Sequence, residues 1–298
     1  MIKTKQQKKT STKVKQSPAP APKSRALTVR KPQAKQVSTK VIDFAADAHM
    51  GMEGMTQADM AIPRLAILQA LSPQCNKRDE KYIEGAEPGD ICDTVAGTLY
   101  TGADGIYVIP VSYRRAYTEW VPRTKGGGFV ADRTPANAQA TIELQKFLDT
   151  CDRGEKGEIT TPKGNEIKVS GEYFVFLVDP ENGDFEPFVL NMGGSQAKKS
   201  RKWNSVMNKF KIDYNGERIN PAMFYRTYKL TTVPEQNDQG SWFGWNIVPD
   251  QNVIDLPNGD SIYKDARDFR QSVMAGRVSV SAPVQDDLGA TEPDEMPM

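Results

Sequence analysis

The stretch EIKVSGEYFVFLVD (166–179) decides the fold of this chain, because its core YFVFLV carries apolar side chains on both faces of an extended strand. A strand of this kind is typical of the middle of a sheet, where both faces are covered. A second apolar segment, DFEPFVLN (184–191), follows after the turn signal PENG. The sequence therefore predicts two buried, neighbouring strands, with the first one central.

Further strand and helix signals lie on both sides of this pair. Strands are predicted where β-branched and aromatic residues are dense, at 89–100, 105–121, 221–233 and 241–248. Helices are predicted at 134–151, 194–210 and about 261–274, and residues 65–71 fit a short helix or an edge strand. About six strands with three helices favour a mainly β (α+β) fold, an antiparallel β-barrel with inserted helices, over an alternating β-α-β sheet.

The two ends of the chain carry opposite charge. Residues 1–40 hold twelve Lys or Arg and no acid, whereas five acids and no base follow Arg277. Between them, residues 41–277 hold 27 basic and 33 acidic side chains, a net charge of −6. We therefore expect a disordered basic tail at 1–40, a folded domain at 41–277 and a disordered acidic tail at 278–298. Any surface that binds phosphate on the domain must be a local stripe.

Most kinds of catalysis lack their residues in this sequence. Three separate cysteines and the single His49 argue against a disulfide framework and a zinc site, and we expect no metal and no cofactor. No GxSxG, HExxH, Walker or GxGxxG motif occurs, and no apolar run is long enough to span a membrane. The one enzyme-like signal is Glu166-Ile-Lys168 with Asp149 and Asp152 upstream, as in a Mg²⁺-dependent nuclease. We expect a protein that is not an enzyme.

The signal for nucleic-acid binding is stronger. Proteins that bind single strands interleave aromatic rings, which stack on bases, with cations, which contact phosphates. The segment YRRAYTEW (113–120) has this mixture, and in a strand Tyr113, Arg115 and Tyr117 share one face. The candidate residues of this segment and of the loop after it are Tyr113, Arg114, Arg115, Tyr117, Trp120, Arg123, Lys125 and Phe129.

Two further segments add candidates. Phe224, Arg226 and Tyr228 alternate along a predicted strand and would present an arginine between two rings on one face. In the helix at 194–210, the candidates for phosphate contact are Lys198, Lys199 and Lys202. Trp203 opens the apolar stripe of the same helix with Val206, Met207 and Phe210, so we expect it in the core.

Four blocks of sequence resemble phage proteins of replication modules that are described as single-stranded-DNA-binding proteins. The blocks are IPRLAILQALSPQ (62–74), AEPGDI (86–91), VIPVSYRRAYTEWVPRTKGGGFV (108–130) and SQAKKSRKWNSVM (195–207). The resemblance covers about residues 60–230 and implies an OB-like barrel that coats single strands. Such proteins commonly end in an acidic segment closed by Pro and Phe. Here Asp294, Glu295, Met296, Pro297 and Met298 end the chain, with Met in the place of Phe.

The function expected from these observations is sequence-independent binding and protection of single-stranded DNA during phage replication or recombination, in the cytoplasm of the infected bacterium. The acidic tail would dock replication or recombination proteins, and no membrane is involved. Two alternatives stay open: a Mg²⁺-dependent nuclease that uses Glu166 and Lys168, and a phage structural protein whose basic tail condenses duplex DNA.

Overall fold

A computed structural model describes residues 50–55, 59, 61–155, 157–238 and 240–281. The chain divides into a unit of residues 1–51, of which Met50 and Gly51 are described, and a unit of residues 52–298 that contains every element below. The elements are β1 (Ala61–Ile62), β2 (Arg64–Ile67), β3 (Ile91–Asp93), β4 (Leu99–Tyr100), β5 (Ile106–Trp120), β6 (Phe129–Asp132), α1 (Ala138–Leu148), β7 (Asp152–Arg153), β8 (Ile159–Thr160), β9 (Glu166–Val178), β10 (Phe185–Gly193), α2 (Ala197–Lys209), β11 (Ile212–Tyr214), β12 (Glu217–Ile219), β13 (Arg226–Asn237), β14 (Gly240–Asn252), α3 (Gly259–Met274) and β15 (Ser279–Val280).

The main sheet is built around β9, as its two apolar faces predict. The strand order is β14-β13-β5-β9-β10-β2-β3-β4, so β9 pairs on both sides, with β5 and β10. Every pairing along this path is antiparallel except the short one between β10 and β2. The prediction of a mainly antiparallel β fold with inserted helices is confirmed, and the sheet has the shape of a curled half-barrel.

Alternate residues of β9 enter two different cores. Phe174, Phe176 and Val178 belong to the outer core, which α3 covers with Ile262, Ala266, Phe269 and Val273. Tyr173 and Val175 belong to the inner core, which the curled sheet encloses and to which α2 contributes Trp203. Burying both faces of one strand in this way removes a large apolar area from water, and each Å² of buried apolar area stabilises the fold by about 25 cal/mol. The expectation that Trp203 is a core residue is confirmed, since it is 2% exposed.

A glutamine side chain joins β14, at one end of the strand order, to the segment after β2. Gln69, just after β2, donates from Nε2 to the carbonyl oxygen of Phe243 in β14 at 3.0 Å. The N–H of Phe243 donates in return to Gln69 Oε1 at 2.8 Å. Two residues further on, the N–H of Trp245 donates to Gln196 Oε1 at 3.0 Å. These amides satisfy backbone groups on the outer edge of β14 that would otherwise lack a partner.

The helices begin differently from the sequence expectation. The N-cap of α1 is Asn137, whose side chain accepts from the N–H of Ala140 at 2.9 Å. Thr134, where the predicted helix begins, lies before α1, and its hydroxyl oxygen accepts from the N–H of Tyr117 at 3.0 Å. A short 3₁₀ turn, Gly194–Gln196, precedes α2. Of residues 65–71, for which helix and edge strand were both open, residues 65–67 belong to strand β2, which begins just after Pro63.

The predicted tails are largely outside the described residues, as are the five C-terminal residues Asp294, Glu295, Met296, Pro297 and Met298. The predicted division at residues 40 and 277 therefore stays a prediction. In the described part of the chain, no helix is long and apolar enough to cross a membrane.

Candidate nucleic-acid interface

The central residue Tyr173 fixes the position of the lysine-bearing helix α2 on the sheet. Its hydroxyl lies 3.1 Å from the carbonyl oxygen of Ser200, 2.8 Å from Ser200 Oγ and 3.0 Å from Asn204 Oδ1. Its ring stacks on Trp203 with centroids 4.5 Å apart. Burial, partly offset by the hydrogen bonds to Ser200 and Asn204, raises the pKa of Tyr173, so its hydroxyl stays protonated at neutral pH. The side of α2 that carries Ser200, Trp203 and Asn204 thus packs against Tyr173 of the sheet. Lys198 and Lys202 lie on the other side of the helix and are exposed.

A groove lies at the N-terminal end of α2. It has a volume of about 350 Å³ and is lined by Ser195, Lys198, Lys199, Glu235, Gln236 and Trp242. Trp242 is half-buried, whereas Trp245 in the same strand is 3% exposed. The groove therefore combines two cationic side chains, two neutral polar side chains and one aromatic ring, together with a single acid.

The acid in the groove is engaged by both of its neighbours. Glu235 Oε1 lies 2.5 Å from Lys199 Nζ, and Glu235 Oε2 accepts the indole N–H of Trp242 at 2.9 Å. Glu235 and Trp242 are direct partners across the β13–β14 hairpin. Gly244 makes room for the ion pair, because a Cβ at that residue would come within 2.5 Å of both Glu235 Oε2 and Lys199 Nζ.

Tyr113 adds a second exposed ring beside the same helix. It is 38% exposed and packs against Tyr173 with ring centroids 4.9 Å apart. A Cβ at Gly171 would collide with Ser200 Oγ and lie 3.1 Å from Tyr113 Cε2, so Tyr113 and the first turns of α2 are close neighbours. Arg115 is exposed on the same face of β5. Tyr117, also on that face, is half-buried and packs against the small core beneath α1.

The loop after β5 forms a separate group of exposed residues. Arg123, Lys125 and Phe129 are exposed, and Phe129 packs edge-on against Trp120 at 5.4 Å. Gly126, Gly127 and Gly128 all have positive φ angles of 105°, 70° and 122°, a conformation that glycine adopts without strain. Trp120 lies seven residues from Tyr113, or about 23 Å along a strand. The structure thus does not bring this loop together with the groove.

A buried carboxylate braces the sheet next to this loop. Glu119 accepts from Asn165 Nδ2 at 2.6 Å and from Arg133 Nη2 at 2.6 Å. Burial raises the pKa of Glu119, but the hydrogen bonds from Asn165 and Arg133 outweigh burial, so the pKa lies below its ordinary value. Arg133 also lies over the ring of Phe147 at 4.6 Å, which ties β6 to α1.

Three of the aromatic rings predicted to stack on bases belong to the interior. Trp120, Phe224 and Tyr228 are 3%, 5% and 2% exposed. Phe224 does not lie on the strand with Tyr228 but in the 3₁₀ turn Met223–Tyr225 before β13. Tyr228 packs edge-on against Trp203 at 5.4 Å. The predicted platform around Phe224 and Tyr228 is therefore corrected, since a base cannot reach a ring that the core already covers.

Two of the predicted arginines serve the fold. Arg114 points to the opposite face of β5 from Tyr113, pairs with Glu172 and lies over the Phe174 ring at 5.1 Å. Glu172 also accepts from the buried Arg64 at 3.2 Å. Arg226 donates to the carbonyl oxygen of Asp250 at 2.9 Å and lies over the Phe210 ring at 4.9 Å. Their guanidinium groups are therefore less available to a phosphate than that of Arg115.

The residues of the enzyme-like signal make local contacts. Lys168 Nζ and Glu166 Oε2 form an ion pair of 2.6 Å at the start of β9. Asp149, which ends α1, accepts from Gln145 at 2.7 Å. Within the ranges that the structure describes, no three His, Cys, Asp or Glu side chains come together in a way that could hold a metal ion.

Sequence reasoning missed Trp242, Glu235, Ser195 and Gln236 as residues of the candidate site. A signal for Trp242 was present, because it lies three positions before Trp245, and this odd spacing puts the two rings on opposite faces of β14. Since Trp245 is buried, Trp242 is the ring left at the surface. Glu235 gave no signal, because its pairing with Trp242 depends on the register of the hairpin.

The fold and this surface define a mainly β protein that carries a helix with several lysines on a curled sheet. Among families of known proteins, the one described as Pam3 phage gp34-like protein matches residues 32–279. The chain belongs to this family, and is a phage protein. Comparisons with curated proteins and with solved structures give no match.

Proposed function

We propose that this phage protein binds single-stranded DNA without sequence preference, during replication or recombination of the phage genome in the host cytoplasm. The observation that carries the proposal is the groove in which Trp242 lies beside Lys198 and Lys199. A ring that stacks on bases, next to cations that contact phosphates, is what single-strand binding requires whatever the sequence.

The surroundings of the groove support the same function. Tyr113 and Trp242 both lie beside the N-terminal half of α2, so a strand that follows the helix would meet both rings and the lysines of the helix. Each stacked base is worth about 1–3 kcal/mol. The domain is acidic as a whole, so its affinity for phosphate must come from this local set, to which Lys202 and Arg115 also belong. An OB-like mode of binding, across one side of the curled sheet, is part of the proposal.

The proposal is tested by removing the two lysines of the groove. We expect Lys198→Ala/Lys199→Ala to weaken binding of a labelled oligothymidylate and to reduce the log–log salt slope by about 1.4, or about 0.7 for each phosphate that is no longer neutralised. The matched control is Lys264→Ala/Arg270→Ala, which removes the same charge from exposed positions of α3. If the two double variants weaken binding equally, the lysines of α2 contribute only their net charge and do not contact phosphate at a specific site.

A further inference from the structure

The groove at the start of α2 contains an anionic side chain of the protein itself, the carboxylate of Glu235. The Glu235 carboxylate lies 2.5 Å from Lys199 Nζ, in a place that a ligand phosphate could take on the same lysine. The side chains of the pair are 23% and 27% exposed, but the Nζ atom of Lys199 is itself buried. A buried ammonium group needs an anionic partner, because an unpaired buried charge is costly. Glu235 is this partner in the free protein, and the phosphate of a ligand can take its place.

We infer that the groove is a site for one nucleotide, in which the ligand phosphate replaces Glu235 on Lys199 while the base lies on Trp242. The inference rests on the proposed function and deepens it, because it names the unit of DNA that this groove takes. The volume of about 350 Å³ is near the lower end of small-ligand sites, which run from about 300 to 1,000 Å³.

The exchange needs only a small rearrangement. Glu235 is held from its other oxygen by the indole N–H of Trp242 at 2.9 Å, so it keeps this partner when Lys199 turns away. The ammonium group of Lys199 lies against Gly244, where a Cβ would be 2.5 Å away, and the flexible stem of the lysine allows the group to turn toward a ligand. In the free protein Glu235 thus neutralises Lys199 and lowers the affinity of the groove for phosphate.

The site can be observed through tryptophan fluorescence. Trp120, Trp203 and Trp245 are each 3% exposed or less, so a ligand added to the full chain contacts Trp242 alone among the four. We expect dTMP to quench the fluorescence in a saturable way and thymidine, which lacks the phosphate, to bind at least several-fold more weakly. Trp242→Phe should abolish the change. A signal that is equal for dTMP and thymidine would overturn the role of the phosphate.

The displacement of Glu235 is tested by Glu235→Gln. The glutamine keeps an oxygen for the indole N–H of Trp242 but no charge for Lys199. We expect dTMP to bind at least about twofold more tightly, because no anion of the protein then competes with the ligand phosphate for Lys199. The control is Asp268→Asn, which removes one charge from the exposed Arg267–Asp268 pair on α3 and should change affinity much less. Unchanged or weaker binding by Glu235→Gln would overturn the exchange.

The outcomes separate this inference from the proposed function. If dTMP gives no saturable quenching while oligothymidylate still binds and Lys198→Ala/Lys199→Ala weakens that binding as expected, the single-nucleotide site is wrong and the function stands. If neither dTMP nor oligothymidylate binds, both are wrong.

Discussion

Glu235 and Trp242 face each other across the β13–β14 hairpin, and the indole N–H of Trp242 donates to Glu235 at 2.9 Å. Because Glu235 also pairs with Lys199 of α2, this contact joins the helix that carries the lysines to the strand that carries the exposed ring. The Glu235 carboxylate thus holds an aromatic ring, that of Trp242, close to a cation, the ammonium group of Lys199.

Replacing Tyr113 by Ala should weaken binding of single-stranded DNA by about 1–3 kcal/mol and leave the fold intact, because the ring is 38% exposed. Fluorescence anisotropy with labelled oligothymidylate measures the affinity, and a thermal melt checks the fold. Tyr214→Ala is the control, since Tyr214 is 60% exposed in the β11–β12 hairpin. If both variants bind alike, Tyr113 does not stack on bases.

Replacing Phe224 by Ala should instead destabilise the protein, by about 3–5 kcal/mol, the usual cost of emptying a buried aromatic site. Phe224 is 5% exposed and packs edge-on against Tyr263 of α3 at 4.9 Å. Chemical denaturation measures the free energy of unfolding. If the variant has normal stability but binds DNA poorly, Phe224 is a DNA-binding residue and this prediction is wrong.

The brace at Glu119 predicts a pH dependence of stability. Because the pKa of Glu119 is lower in the folded protein than in the unfolded chain, its charge stabilises the fold above the unfolded pKa, near 4.5. This contribution is lost as the pH falls through the folded pKa. Glu119→Gln should therefore cost about 1–3 kcal/mol at neutral pH, and the difference from the unsubstituted protein should shrink below about pH 4. A difference that is the same at both pH values would contradict the assignment.

The acidic C-terminal segment should compete with DNA for the lysines. Residues 282–298 carry five acids and no base, and attachment to the domain gives them a high effective concentration near its surface. Removing residues 282–298 should tighten binding of oligothymidylate at low salt and change it little at high salt. The cut is placed after Ser281, because Ser279 and Val280 pair with Ala61 and Ile62 and the carbonyl oxygen of Ser281 accepts from Arg64. Low-salt affinity that stays the same would exclude the competition.

The sequence predicted those parts of the fold that local periodicity controls. The unbroken apolar run at 173–178 predicted the central strand, and the spacing of Trp203 and Met207 predicted the buried side of α2. Periodicity cannot tell where a strand begins or which residues another element covers. The sequence therefore predicted Phe224 and Tyr228 at the surface, although α3 covers Phe224, which precedes β13, and α2 covers Tyr228. The groove depends on the register of β13 against β14, a non-local property that no short segment encodes.

The central claim is that the lysines of α2 and the rings of Tyr113 and Trp242 bind single-stranded DNA. A comparison of the affinities for single-stranded and duplex DNA tests this claim most directly. Anisotropy titrations of oligothymidylate and of a duplex of equal length, over a salt series with and without Mg²⁺, should show tighter binding of the single strand at every salt concentration. Lys198→Ala/Lys199→Ala should remove most of that preference. Degradation of the DNA that requires Mg²⁺ and that Glu166→Ala abolishes would favour a nuclease. Equal affinity for the single strand and the duplex would contradict the claim and favour a protein that condenses duplex DNA.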